Sequence, residues 1–259
     1  MELAEISGVA KTPIMRQRMA STNQMISFAK NVNPAFNAAI AVSYVLIGDR
    51  YGVTGDVAFC QAIYETNWFR FGGSVQADQN NFAGLGATGG GAAGASFATV
   101  EEGVIAHIQH LYAYATTRNL PAGEQIVDPR YPYVKKGSAP YWEDLAGKWA
   151  VPGYDRSKYP SLEAAVRAKD AYGHRIIQLH QQVVNLTVPE PPGEENPPEP
   201  TDDYPRETPA WKKEAVDWMY QEGLLTSPEW KAKIEEPLPL WSLALILKRL
   251  GAQQSGDET

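Results

Sequence analysis

Cysteine, long apolar runs and clustered basic residues are all scarce in this chain, and each scarcity removes a class of protein. The one cysteine, Cys60, excludes an internal disulfide framework. Flanked by Ala58, Phe59 and Ala62, it reads as a buried packing residue rather than a nucleophile. No apolar run approaches the roughly 20 residues that span a bilayer. The longest, 38–47, is interrupted by Ser43 and followed by Asp49 and Arg50. The N-terminal stretch sets Glu2 and Glu5 ahead of Lys11 and has no continuous apolar segment, so no secretory signal is expected. Basic residues are dispersed: residues 1–186 carry 16 Lys and Arg against 15 Asp and Glu, while residues 187–259 carry 7 against 15. The net charge of -7 therefore belongs to the C-terminal part. A nearly neutral main region argues against nucleic acid as a partner, because phosphate binding relies on concentrated Lys and Arg.

What is present suffices for one substantial core and a small accessory module: 259 residues, 44% of them hydrophobic. Residues 187–205 read TVPEPPGEENPPEPTDDYP, a Pro- and Glu-rich linker. The expected organisation is a catalytic domain over 1–186, a linker over 187–207 and a small helical module over 208–259. Apolar residues at three- and four-residue spacing predict a mainly α domain with helices over 34–48, 56–69, 100–117 and 162–184. Thr99 and Glu102 form a predicted capping box, and Ser161 a predicted N-cap. Residues 119–160, rich in Pro, Gly, Tyr and Trp, are expected to form long irregular loops around one short helix near Trp142.

Chemistry concentrates around Glu65. Ala58, Ala62, Glu65 and Phe69 fall on one face of the expected 56–69 helix, so Glu65 projects from a small, apolar stripe. Desolvation there raises the carboxyl pKa above about 4.3, as a group that protonates a glycosidic oxygen near neutrality requires. On periodicity alone, a general acid and a helix-terminal carboxylate paired with Arg70 are both admitted. The sequence continues Asn67-Trp68-Phe69-Arg70-Phe71-Gly72-Gly73 and then Gln79-Asn80-Asn81-Phe82-Ala83-Gly84-Leu85-Gly86. Amides beside aromatic faces suit sugars, since amides bond hydroxyls and N-acetyl groups while rings cover apolar sugar faces.

Gln61-Ala62-Ile63-Tyr64-Glu65-Thr66, Asn80-Asn81-Phe82-Ala83-Gly84-Leu85, Phe97 and Asp128-Pro129-Arg130-Tyr131 occur in the order found in the glucosaminidases of glycoside hydrolase family 73. Over roughly residues 20–185 the chain resembles that family, which belongs to the lysozyme-like superfamily. The resemblance implies that Glu65 protonates the leaving oxygen, that Asn80 and Asn81 shape the cleft floor, and that Tyr131 contacts the sugar. Trp68, Phe82 and Trp149 join them as expected substrate-binding residues. Family members often carry a second acid on a hairpin after the Asn-Asn turn; here residues 87–96 contain no carboxylate. Asp78, Glu101, Glu102 and Glu143 are the candidates for that role. The alternative is assistance by the substrate's own 2-acetamido group, with Glu65 the only essential carboxyl.

Other patterns are discounted. Gly84-Leu85-Gly86-Ala87-Thr88-Gly89 matches a nucleotide-binding fingerprint by letter but follows no strand and opens no helix. His107 and His110 have a metal-compatible spacing without a third ligand and read as ordinary helix residues, and His174 and His180 fall on opposed helix faces. Neither a cofactor nor a metal is expected. The 208–259 module reads as a helical hairpin, 208–218 and 238–250, that weakly resembles one surface-layer-homology repeat. That resemblance raises secondary wall polymer as a possible partner. The expected activity is endo-β-N-acetylglucosaminidase action on bacterial peptidoglycan at the cell wall, by a phage-type endolysin or a processed autolysin. The alternatives are a muramidase or lytic transglycosylase of the same fold, and a catalytically silent glycan-binding module.

Overall fold

The computed structural model describes residues 11–73, 75–87, 93–188, 204–221, 225, 229–234 and 236. The chain divides into two compact units, 1–188 and 189–259. The described residues form helices, turns and loops with no strand; two isolated bridges, Pro13 to Tyr141 and Ala146 to Ala150, are the only β pairing among them. No helix of the described residues is long and apolar enough to cross a membrane.

The first unit holds α1 (Thr22–Val32), α2 (Ala38–Tyr51), α3 (Gly55–Glu65), α4 (Val100–Ala115), α5 (Leu162–Arg167) and α6 (Tyr172–Val184). Helix α3 is its axis: Gly55 through Ile63 are all buried, and α1, α2, α4 and α6 pack around it. A helix that is mostly apolar around its circumference belongs inside, and the polar Asp56 and Gln61 that share its interior have hydrogen-bond partners there. Close approach to α2 depends on Gly55, where a Cβ would lie 2.1 Å from the Tyr44 carbonyl oxygen. Gly103 does the same on α4, since a Cβ there would lie 1.8 Å from the Asn80 carbonyl oxygen. It lets the Asn80-Asn81 turn press directly onto the helix.

Several polar groups inside this core are paired. Asp56 is fully buried and accepts from the Met19 and Ala20 amides at 2.7 and 2.9 Å and bonds His180 Nε2 at 2.7 Å. Burial alone would raise its pKa, but these bonds win and hold it below the usual carboxylate range. Trp142 Nε1 donates to Thr54 Oγ1 at 2.9 Å. Cys60 is buried, as expected of a packing residue.

Several boundaries depart from the sequence reading. Helix α1 was not expected, although Ser21 and Gln24 form a complete capping box at its start. The 34–48 helix begins only at Ala38, capped by the Asn37 side chain. The 56–69 helix stops at Glu65, so Phe69 does not share its face. The 162–184 helix is broken by residues 168–171, where Lys169 is left-handed and Asp170 bonds Lys158, Tyr159 and Arg175 instead of continuing the helix. At α4, Thr99 accepts from the Glu102 amide, but the Glu102 carboxylate reaches the Ala98 amide rather than that of Thr99. A short 3-10 turn spans Trp142–Leu145, where the short helix was expected.

The second unit contains α7 (Ala210–Gln221) and the short α8 (Glu229–Ala232). Tyr220 and Leu225 form a small cluster with Val216, Met219 and Trp230. Asp217 accepts from the Tyr204 hydroxyl and the Lys231 ammonium, each at 2.8 Å. The expected 238–250 helix and most of the 187–207 linker lie outside the described residues.

Candidate active site

Glu65 is the last residue of α3, and the left-handed turn after it faces the carboxyl toward a cleft. Asn67, Trp68 and Phe69 take φ values of 51°, 62° and 57°, and Phe71 one of 57°. Each such non-glycine residue costs on the order of 1 kcal/mol. The turn is held by Trp68 N–H donating to the Ile63 carbonyl and Phe71 N–H to the Thr66 carbonyl, both at 2.8 Å. Ring burial offsets the strain: Phe69 is 8% exposed and packs on Phe36 and Phe59 at centroid distances of 4.8 and 5.4 Å. Arg70 donates to the Val32 carbonyl, so its guanidinium is engaged away from Glu65.

The cleft holds about 460 Å³, and Glu65, Asn67, Phe71, Asn81, Gly84 and Trp149 are among its lining residues. Among the described residues Glu65 is the only carboxylate on its walls. Its side chain is exposed, but into a concave site crowded by protein on the other sides. Desolvation therefore pushes its pKa above the ordinary carboxyl value, opposed in part by hydrogen bonds from Tyr172 and Trp149. A carboxyl so placed holds a proton at higher pH than an open surface acid.

Behind Glu65 runs a buried chain of hydrogen bonds that crosses four helices. The Tyr172 hydroxyl, at the start of α6, donates to Glu65 Oε1. Having given its one proton, it accepts from Gln61 Nε2 at 2.8 Å. Gln61, one turn before Glu65 on α3, presents its amide oxygen to His107 Nε2 on α4 at 3.0 Å. His107 Nδ1 lies 2.7 Å from the Tyr44 hydroxyl on α2. These partners assign the protons: His107 carries its hydrogen on Nε2, and Tyr44 donates to Nδ1. Burial, with His110 nearby, pushes the His107 pKa down to about 3, so the ring is neutral and has one hydrogen to give. Burial likewise raises Tyr44 and Tyr172, which keep their protons. Every donor points toward Glu65, an alignment in which each bond polarises the next.

Trp149 closes the other side. Its amide donates to the Leu145 carbonyl at 2.8 Å, and its ring meets His110 edge-on at 4.8 Å and Tyr114 at 6.1 Å.

The structure places the expected site residues in three groups. Glu65, Asn81 and Trp149 line the cleft. Asn81 is nonetheless fully buried, bonding the Leu85 amide and the Leu85 and Ala95 carbonyls, so it shapes the wall rather than offering a free amide. Asn80, Phe82, Trp68 and Tyr131 are not on the cleft walls. The Asn80 side chain donates to the Phe97 carbonyl at 3.0 Å, Phe82 is 2% exposed in the aromatic core, and Trp68 packs on Phe28 at 5.2 Å. Tyr131 is 4% exposed, with Lys136 Nζ 4.9 Å from its ring centroid. None of the second-acid candidates reaches the cleft. Asp78 sits on an exposed 3-10 turn, and Glu101 and Glu102 are exposed on the first turn of α4. Glu143 accepts from the Thr12 amide with both oxygens. Sequence reasoning missed Tyr172, Gln61, His107 and Tyr44 as a set. Gln61 at one turn before Glu65 was the available signal, and His107 is more than an ordinary helix residue.

The glucosaminidase family, described as mannosyl-glycoprotein endo-beta-N-acetylglucosaminidase, matches residues 41–238. An uncharacterized protein of Borreliella burgdorferi is 39% identical over 130 residues, covering 49% of this chain and 63% of the relative. The chain thus spans less than two thirds of the length of that curated relative. No solved structure matches the chain.

Proposed function

The chain belongs to the glucosaminidase family, and from that membership we propose that it hydrolyses bacterial peptidoglycan as an endo-β-N-acetylglucosaminidase with Glu65 as its general acid. The observation that carries the reading is a lone carboxyl, raised in pKa, on the wall of a cleft of about 460 Å³. Tyr172 occupies Oε1, which leaves Oε2 to carry the proton. Oε2–H passes its proton to the glycosidic oxygen as the C1–O bond breaks, and the reducing-side strand departs as an alcohol. The carboxylate left behind is stabilised by the hydrogen bonds of Tyr172 and Trp149.

The second half of the reaction needs a nucleophile at C1. With no other carboxylate on the described walls, we assign that role to the carbonyl oxygen of the substrate's 2-acetamido group, which closes an oxazolinium ring. Water then opens that ring at C1, giving its proton to Glu65 and regenerating the acid. Two inversions leave the anomeric configuration retained.

Mass spectrometry of fragments released from purified walls tests bond and substrate together. Reducing-end GlcNAc is the expected product. Reducing-end MurNAc or anhydro-MurNAc would reassign the chain to muramidase or lytic transglycosylase chemistry, and no release would favour a silent glycan-binding module. A high-mannose glycoprotein is the control: cleavage there but not of walls overturns the peptidoglycan assignment. For residues 208–259 we propose attachment to the wall, through secondary wall polymer or the glycan itself. Undiminished sedimentation with walls after deletion of 187–259 would exclude it. Action at the wall fits delivery by phage-type lysis or by secretion with later processing.

A further inference from the structure

A second hollow of about 210 Å³ adjoins the catalytic cleft and shares with it the wall formed by Ala83, Gly84, Ala87 and Trp149. Its lining is basic. The cleft presents Glu65, whereas the hollow is lined by Arg130 and Lys148 and, among the described residues, by no carboxylate. The Arg130 guanidinium lies 5.0 Å from the centroid of the Tyr133 ring and makes no ion pair among the described residues. Lys148 Nζ donates to the Ser138 carbonyl, a neutral acceptor that leaves its charge uncompensated. Asp128, two residues before Arg130, is fully buried, bonded to His110 Nδ1 at 2.7 Å and to the Arg130 amide at 2.8 Å, and does not line the hollow. Tyr133, 76% exposed, adds an open ring beside these cations. Two unneutralised cations on an aromatic rim form a receptor for an anion, and a guanidinium is shaped for a carboxylate.

We propose that this hollow is a subsite for a carboxylate-bearing branch of the glycan, set beside the sugar whose bond Glu65 protonates. The inference rests on the peptidoglycan reading above. Along such a strand every second sugar carries a lactyl ether, whose carboxyl is either free or extended by a peptide with further carboxylates. Both sources offer the same chemistry to Arg130 and Lys148. A chitin strand has the same β-1,4 backbone and no branch, so the hollow would separate the two substrates by charge.

The experiment measures kcat/KM of the full chain on three probes: glycan strands bearing their peptides, the same strands stripped of peptide by an amidase, and a neutral chitin oligosaccharide. The variants are Arg130→Gln, Lys148→Gln, their double and the conservative Arg130→Lys. In the double variant the preference for peptide-bearing strands over chitin is expected to fall roughly tenfold, through a rise in KM. Arg130→Lys is expected to keep most of that preference. Retention of the preference on stripped strands assigns the lactyl carboxylate, and its loss assigns the peptide. KM on peptide-bearing strands gives an independent readout. It is expected to rise in about 0.5 M salt for the unaltered chain and to be insensitive to salt in the double variant. Both side chains are exposed, and equal melting temperatures confirm an intact fold. A preference and a salt response unchanged in the double variant overturn the subsite while leaving the hydrolase reading intact. An unaltered chain that cuts none of the probes overturns both.

Discussion

The two sides of Glu65 are built in opposite ways. Behind it, Tyr172, Gln61, His107 and Tyr44 link α6, α3, α4 and α2 through hydrogen bonds in a buried core. In front of it the helix ends, the backbone turns left-handed through residues 67–69, and the cleft wall contains Gly73 and Gly84. The closed side specifies one position and one protonation pattern for the acid. The open side leaves room for a polymer to enter. The hydrogen bonds that order the carboxyl come from buried residues behind it, and a run of left-handed backbone at residues 67–69 and 71 follows it, with Asn67 and Phe71 on the cleft wall.

The largest test of this contrast is the acid itself. Glu65→Gln is expected to lower wall hydrolysis by about 10²–10⁴-fold, measured as release of reducing ends, with the fold retained. Activity within tenfold of the unaltered chain would remove Glu65 from the chemistry. Breaking the closed side comes next. His107→Leu strands the Gln61 carbonyl oxygen and the Tyr44 hydroxyl inside the core, a loss of about 2–4 kcal/mol by urea unfolding. A loss below about 1 kcal/mol would mean that the chain of bonds does not order the core.

Tyr172→Phe sits between the two sides and reads out as pH dependence. Its hydrogen bond lowers the Glu65 pKa against the upward push of desolvation, so removing it moves the pKa further up. The alkaline limb of kcat/KM, where the acid loses its proton, is then expected to shift to higher pH, with activity down about tenfold. A limb that stays in place or moves down contradicts the assignment. The smallest effect is on stability. A carboxyl whose folded pKa lies above its unfolded value of about 4.3 contributes stability fully below that pH and loses it as pH rises through the folded value. Glu65→Gln is therefore expected to melt progressively higher relative to the unaltered chain between pH 4 and pH 7, in a calorimetric series. A difference that shrinks over that range would contradict the raised pKa.

How far the sequence spoke depended on whether a residue's partners were near it in the chain. Helices α2, α3 and α4 follow apolar spacing that local geometry reproduces, and the mainly α class followed from them. The end of α3 was misread by four residues because Trp68 and Phe69 continue the helical pattern by letter, while the core draws Phe69 in through a left-handed turn. The break at residues 168–171 has no glycine or proline to announce it; the partners of Asp170 impose it. At the site, the motif singled out Glu65, which lies on the cleft wall. Tyr172 is 107 residues from it, and His107 is 46 from Gln61. Periodicity carries no information over such separations. Phe82 and Asn80, plausible as sugar ligands by residue type, are consumed instead by core packing and by the Phe97 carbonyl.

A described wall that offers one carboxylate also changes what resistance to this cleft would require. If the attacking oxygen belongs to the sugar's acetyl group, a cell that strips that group from its glucosamine removes half of the reaction machinery. The strand's length and shape stay nearly the same. The protected polymer still fits and can still be protonated, but the breaking bond has no internal oxygen to replace it. Immunity would then be written in the acylation of the substrate, and repacking the walls around Glu65 would not restore the missing nucleophile.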